Sequence, residues 1–169
     1  MTMKRLLRCV ITVLMLAGIG TTIATTAQKH DQTFTQGDKN LSLLLGYGEG
    51  FSQKVALDCC VFDNWLGGKG SMGLGIAIGN CMDKHWDRLS AEVTASLHYQ
   101  FVNQLDTYIS VGAGGGYKWY DKLYGEDKGF FSWSSNAGVR WYLAQRFSIN
   151  IEAGYTFGSY ILAGVSWRF

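Results

Sequence analysis

The sequence predicts an all-β fold in which eight antiparallel strands close, up-and-down, into a transmembrane β-barrel. Three observations carry that expectation. From Asn40 to the end, apolar and polar side chains alternate with a period of two, the spacing at which successive strand residues point to opposite faces. Beyond residue 27 no segment holds the roughly 18 uninterrupted apolar residues that a spanning helix requires. The 169 residues include 22 glycines and no proline, which suits strands whose every N–H must join a ladder in lipid.

The clearest run is 147–157, where Phe147, Ile149, Ile151, Ala153, Tyr155 and Phe157 share one face and Ser148, Asn150, Glu152, Gly154 and Thr156 the other. A second sets Leu89, Ala91, Val93, Ala95 and Leu97 against Ser90, Glu92, Thr94, Ser96 and His98. A third sets Thr107, Ile109, Val111 and Ala113 against Asp106, Tyr108, Ser110 and Gly112. Applied throughout, the same test gives strands over 40–49, 54–63, 70–80, 88–101, 105–119, 130–143, 147–157 and 160–169. Eight is the strand count of the smallest membrane barrels. The connections at 66–69, 102–104 and 144–146 are tight, whereas 81–87 and 121–129 are longer and polar. Short turns at one end and longer loops at the other match the periplasmic and extracellular sides of such barrels.

Period two alone does not say which face meets lipid, and a soluble, lipocalin-like ligand-binding barrel with its apolar face inward would alternate equally well. The run 70–80 favours lipid outside: Met72, Leu74, Ile76 and Ile78 oppose Ser71, Gly73, Gly75, Ala77 and Gly79. Small uncharged residues suit a narrow lumen better than a wet surface. Aromatic residues gather near the strand ends, Tyr99, Phe101, Trp141, Phe147, Trp167 and Phe169 among them, as two interfacial girdles would require. The inward set carries both signs: Asp58, Arg88, Glu92, Asp106, Lys118, Arg140, Glu152 and Arg168, with His98 in their hydrogen-bond network. An eight-stranded interior is just filled by side chains, so these groups are expected to neutralise one another rather than line an ion path.

The N-terminus sets the compartment. Lys4, Arg5 and Arg8 precede an apolar run, and Thr25, Thr26 and Ala27 supply small residues before Gln28; this is the pattern of a signal peptide over 1–27, cleaved after Ala27. The run 6–23 is long enough to weigh as an anchor, but Arg8 interrupts it. Cleavage leaves 12 basic against 13 acidic residues, and the Lys and Arg that remain are scattered, so no nucleic-acid partner is expected. Residues 28–39 are polar and aperiodic and read as a flexible lead-in, which makes 40–169 the barrel. Of the three cysteines left, Cys59 and Cys60 point to opposite faces; either could reach Cys81, or all three serve as small apolar fillers.

The terminus, with Ile161, Ala163, Val165, Trp167 and Phe169 on one face and an aromatic last residue, resembles the C-terminal assembly signal of Gram-negative outer-membrane barrels. The blocks 105–114 and 139–155 resemble the outer membrane β-barrel protein family, the small OmpX-like class. The resemblance spans nearly all of 40–169 and implies residence in the bacterial outer membrane, outer-membrane lipid as surroundings, and contact with the barrel-assembly machinery through the last strand. It implies no single activity, which leaves a structural or surface-interaction role with the loops at 81–87 and 121–129 as contact surface and the extracellular partner unnamed.

Signs of chemistry are sparse. Trp133-Ser134-Ser135-Asn136-Ala137 is similar to the His-x-Ser-Asn-Ala segment of outer-membrane lipid A deacylases, but Trp133 stands where the activating His would be, which leaves Ser135 a poor nucleophile. A lipid-modifying enzyme is therefore the alternative, and no catalysis is expected. His30, His85 and His98 fall in the lead-in, a loop and a strand, without the convergence a metal needs; no metal or other cofactor is expected. Gly112, Gly114, Gly115 and Gly116 sit inside a strand rather than before a helix, so a close-packed lumen wall is expected rather than a phosphate loop. Finally, a turn at 144–146 places Arg140 opposite Asn150, and a turn pairing Phe157 with Ile161 places Arg168 opposite Asn150 too. Glu152 is then expected diagonally between two arginines, within the roughly 7–8 Å that long side chains bridge.

Overall fold

The structure, a computed structural model, describes residues 34–169; the signal-peptide reading, His30 and the first half of the lead-in lie outside them. Eight strands follow in order: β1 (Lys39–Gly48), β2 (Phe51–Trp65), β3 (Gly70–Met82), β4 (Trp86–Val102), β5 (Leu105–Tyr120), β6 (Lys128–Tyr142), β7 (Phe147–Thr156) and β8 (Ser159–Arg168). Each pairs antiparallel with its neighbour, and β1 pairs with β8 from Asn40–Arg168 to Gly48–Ser159, closing the barrel. Closure leaves no sheet edge, the condition for a sheet to cross lipid.

Burial follows the alternation. Ser148, Asn150 and Glu152 of β7 are buried while Ile149 and Ile151 are exposed, and Ser132, Ser134, Asn136 and Arg140 of β6 are buried while Phe131, Trp133 and Val139 are exposed. Polar residues thus face the lumen and apolar ones the outside, the reverse of a soluble ligand-carrying barrel. The outer wall is a belt of Leu74, Ile76, Ile78, Val93, Ile109, Val111 and Ile151. Aromatic pairs border it: Tyr99–Phe101 and Phe147–Trp167 at one rim, Tyr117–Trp119 and Trp133–Tyr155 toward the other.

Several expectations need correction. β2 runs over 15 residues, several more than its alternation gave. Its far end is stitched to the supposed lead-in: Gln36 N–H donates to Asp63 (3.0 Å), Gly37 N–H to Cys60 O (3.1 Å), and Phe34 is buried. Residues 34–38 are therefore tied to the barrel wall by hydrogen bonds, because β2 extends past β1 and supplies partners for their backbone. β7 and β8 pair with Phe147 opposite Trp167 and Asn150 opposite Gly164, and the register shifts between Ala153 and Thr156. Arg168 consequently lies opposite Asn40 of β1, not Asn150. Phe157 and Gly158 form the two-residue turn into β8, at φ 48° and 78° in the left-handed region, and the Phe157 ring lies inward, 2% exposed, rather than toward lipid. Gly115 faces outward, unlike Gly112, Gly114 and Gly116.

Cys59, Cys60 and Cys81 are free. Cys60 lies opposite Gly73 and Cys81 opposite Ser52, so eight residues of β3 separate them, about 26 Å of strand, far beyond disulfide reach.

Ile151, 54% exposed on the belt, tests the assignment of faces. Ile151→Arg is expected to cost about 2–4 kcal/mol of stability in lipid, while Ile151→Leu changes little; urea unfolding in vesicles measures both.

Candidate functional site

The lumen holds the ionisable groups, and the register explains how they meet. Toward the rim where Phe34 and Phe169 lie, Asp106 faces Arg140 across β5 and β6, and His98 faces Tyr108 across β4 and β5. His98 Nδ1 lies 3.0 Å from Asp106 and Nε2 3.1 Å from Asp58. With a carboxylate at each nitrogen, the ring serves as a double donor. Arg140 reaches Asp106 at 3.4 Å and Asp58 at 3.6 Å, so two cations and two carboxylates form a quartet. Tyr108 lies beneath it, stacked on His98 with centroids 5.2 Å apart and 4.4 Å from the Arg140 guanidinium. Ser96 Oγ sits 2.9 Å from His98 Nε2 and donates to Asp58 at 3.0 Å. Ser96, His98 and Asp106 have the spacing of a hydrolytic triad, but Ser96 Oγ already donates to Asp58 and the His98 ring lies between two carboxylates. Phe34 closes this end, its ring centroid 4.4 Å from that of His98.

Farther along the lumen Glu152 accepts from Lys54 (2.7 Å), Asn136 (2.6 Å) and Tyr108 (2.7 Å). This replaces the expected pair of arginines: the register shift carries Arg168 away, and Lys54, overlooked in the sequence, becomes the counter-charge. Its parity was legible, since Lys54 and Asp58 share a face of β2. Glu92 accepts from Ser132 and Ser134, and Gly112 stands beside them, where a side chain would meet both Ser134 and Glu92.

The remaining inward cations sit at the two mouths. Arg168 lies 3.8 Å from Asp38 and donates to Gln145 O at the terminal rim. At the opposite rim Arg88 pairs with Glu49 at 3.2 Å, and Lys118 lies over Trp86. Ser135 is exposed on the outer wall between Trp133 and Ala137, away from these groups. Ile161, Ala163 and Phe169 are exposed, with Val165 and Trp167 between them half-buried. Among the described residues no group of three or more His, Cys, Asp or Glu could hold a metal ion.

A closed antiparallel sheet with an apolar belt, aromatic rims and a polar buried interior defines the class: eight-stranded transmembrane β-barrels. The N-terminal β-barrel domain of OprF from Pseudomonas aeruginosa is similar over 79% of this chain and 98% of its own, at 15% identity and a TM-score of 0.58. Ail, the attachment invasion locus protein of Yersinia pestis, is similar over 80% of this chain and 100% of its own, at 16% identity and a TM-score of 0.52. A de novo designed transmembrane β-barrel covers 85% of this chain and 100% of its own, at 13% identity and a TM-score of 0.51. Identities this low speak for the fold. No protein-family model and no curated protein matches the chain.

The quartet sets a stability test. Arg140→Leu leaves Asp58 and Asp106 with His98 alone, and an uncompensated buried charge costs about 3–5 kcal/mol. Adding Asp106→Leu should restore part of that loss, which a double-mutant cycle of urea unfolding in lipid vesicles would read.

Proposed function

We propose that the chain is a non-catalytic β-barrel of the bacterial outer membrane, sealed to ions and working through the loops of one rim. The observation that carries this reading is the lumen. Asp58, His98, Asp106 and Arg140 pair with one another across it, Lys54 and Glu152 bridge it, and Phe34 and Phe157 are buried near its two ends. Ions need a continuous wet path, and an eight-stranded interior leaves little room beside its side chains. The connection between β5 and β6, residues 121–127, is the longest in the barrel, whereas the expected loop at 81–87 shrinks to 83–85 because β3 and β4 run on to Met82 and Trp86; the two together are the proposed contact surface. Export through a signal peptide over 1–27 completes the reading, with cleavage after Ala27. The outer face of β8, from Ile161 to Phe169, is proposed as the segment that the barrel-assembly machinery reads.

Two outcomes are expected. Pure protein in planar bilayers should give no reproducible single-channel steps, and steady conductance would contradict a sealed lumen. Deleting Phe169, or replacing it with Asp, should lower the amount assembled in the outer membrane several-fold at unchanged synthesis, measured by quantitative blotting of membrane fractions.

A further inference from the structure

The middle of the lumen brings together three side chains from three strands. Lys54 of β2, Asn136 of β6 and Glu152 of β7 are 5%, 6% and 2% exposed, so bulk water is excluded from the groups they carry. Register explains the meeting. Glu152 pairs with Gly138 of β6, the next inward residue after Asn136, and diagonal neighbours on one sheet face lie within reach of long side chains. Lys54 comes from β2, four strands round the ring from β6, and its long stem crosses the lumen to them.

A single oxygen is the meeting point. Glu152 Oε2 accepts from Lys54 Nζ at 2.7 Å and from Asn136 Nδ2 at 2.6 Å. The other oxygen, Oε1, accepts from the Tyr108 hydroxyl at 2.7 Å, which anchors the carboxylate. Asn136 Oδ1 is buried with no hydrogen-bond partner, so Glu152 holds the carboxamide through its nitrogen, the atom that an acyl transfer would expel.

An amine, a carboxamide and a carboxylate in this arrangement are the reactants and the proton carrier of such a transfer. Lys54 Nζ hands a proton to Oε2 and becomes a nucleophile. Its lone pair attacks Asn136 Cγ, which forms the Nζ–Cγ bond and moves the carbonyl pair onto Oδ1. As the carbonyl re-forms, the Cγ–Nδ2 bond breaks, and Nδ2 leaves as ammonia with a proton that Glu152 has relayed from Nζ. Of the three ammonium protons, one stays on the new amide, one departs with ammonia and one remains on Glu152, so the step balances without a further reactant. A buried ion pair is thereby exchanged for an amide and a neutral acid, which removes the desolvation that two enclosed charges carry. Dry surroundings keep water from competing for Cγ, and holding both reactants against one oxygen supplies proximity.

We propose that Lys54 and Asn136 join through an isopeptide bond inside the lumen, with Glu152 as the residue that moves the protons. The bond ties β2 to β6 across the barrel and locks the ring that the β1–β8 ladder closes. It depends on closure of the barrel and not on what the loops contact.

Peptide mapping of the full mature chain tests it. Protein refolded from urea into lipid vesicles is later denatured and digested with trypsin, which does not cut after an acylated lysine. The linked chain should release residues 40–69 joined to 129–140, lighter than the two parts by one ammonia. The joined peptide is the readout rather than intact mass, because cyclisation of an N-terminal Gln28 also releases ammonia. Protein kept in urea should give none of it, and its amount should rise with time after refolding. Lys54→Arg, which keeps a cation against Glu152, should fold and give none, and boiled wild-type protein should run ahead of boiled Lys54→Arg on a denaturing gel, since a looped chain is more compact. Glu152→Gln should slow linkage at least about a hundredfold. Unlinked peptides alone, ending at Lys54, from wild-type protein whose unboiled gel mobility shows a folded barrel would overturn the proposal. So would unchanged linkage in a folded Glu152→Gln barrel.

Discussion

Lipid offers no hydrogen bonds, so every polar group carried into the membrane must be satisfied from within the ring. Closure of β1 on β8 meets that demand for the backbone. For the side chains the demand falls on a lumen so narrow that each ionised group must find a counter-charge or, like Glu92, hydroxyl donors on a facing strand. The pairing of Asp106 with Arg140, and of His98 with both Asp58 and Asp106, answers it directly. The small residues follow from the same crowding: a side chain at Gly112 would strike the serine that serves Glu92, and one at Gly138 would strike Tyr108.

The polar interior divides by depth. Midway, charges are enclosed and met by counter-charges or, at Glu92, by serine hydroxyls, and their contribution is to fix one arrangement of eight strands. At the rims the partners loosen: Arg88 shares a half-exposed Glu49, and Arg168 reaches Asp38 and a backbone carbonyl. Such graded pairing separates the part of the lumen that holds the barrel together from the parts that meet other molecules.

The fold was legible in the sequence because a strand in lipid has a strict code. Parity assigned Ile151 outward and Glu152 inward, and the tight turn at 144–146 fixed Arg140 opposite Asn150. What escaped was whatever broke the period. The tight turn at Phe157-Gly158 and the irregularity between Ala153 and Thr156 have no signature in alternation, since Tyr155 and Phe157 continue the apolar series while the backbone turns over. From these two breaks, the turn above all, followed the wrong place for Arg168 and the wrong partner for Glu152. Lys54 was missed for a different reason: parity placed it inward, but nothing local to β2 says that a glutamate 98 residues away will lie against it. Phe34 lay in a polar stretch without periodicity, and its burial depends on how far β2 outruns β1.

Phe34 has a consequence for the order of assembly. Its pocket is built from residues of different strands: His98 from β4, Asp106 from β5 and Ser71 from β3. None of that surface exists until those strands have paired, and the backbone anchors of 34–38 belong to the end of β2. Non-local pairings of this kind are the slow part of folding, so the segment that precedes the first strand is among the last to settle. Its docking acts as a latch, set only once the strands beneath it have paired.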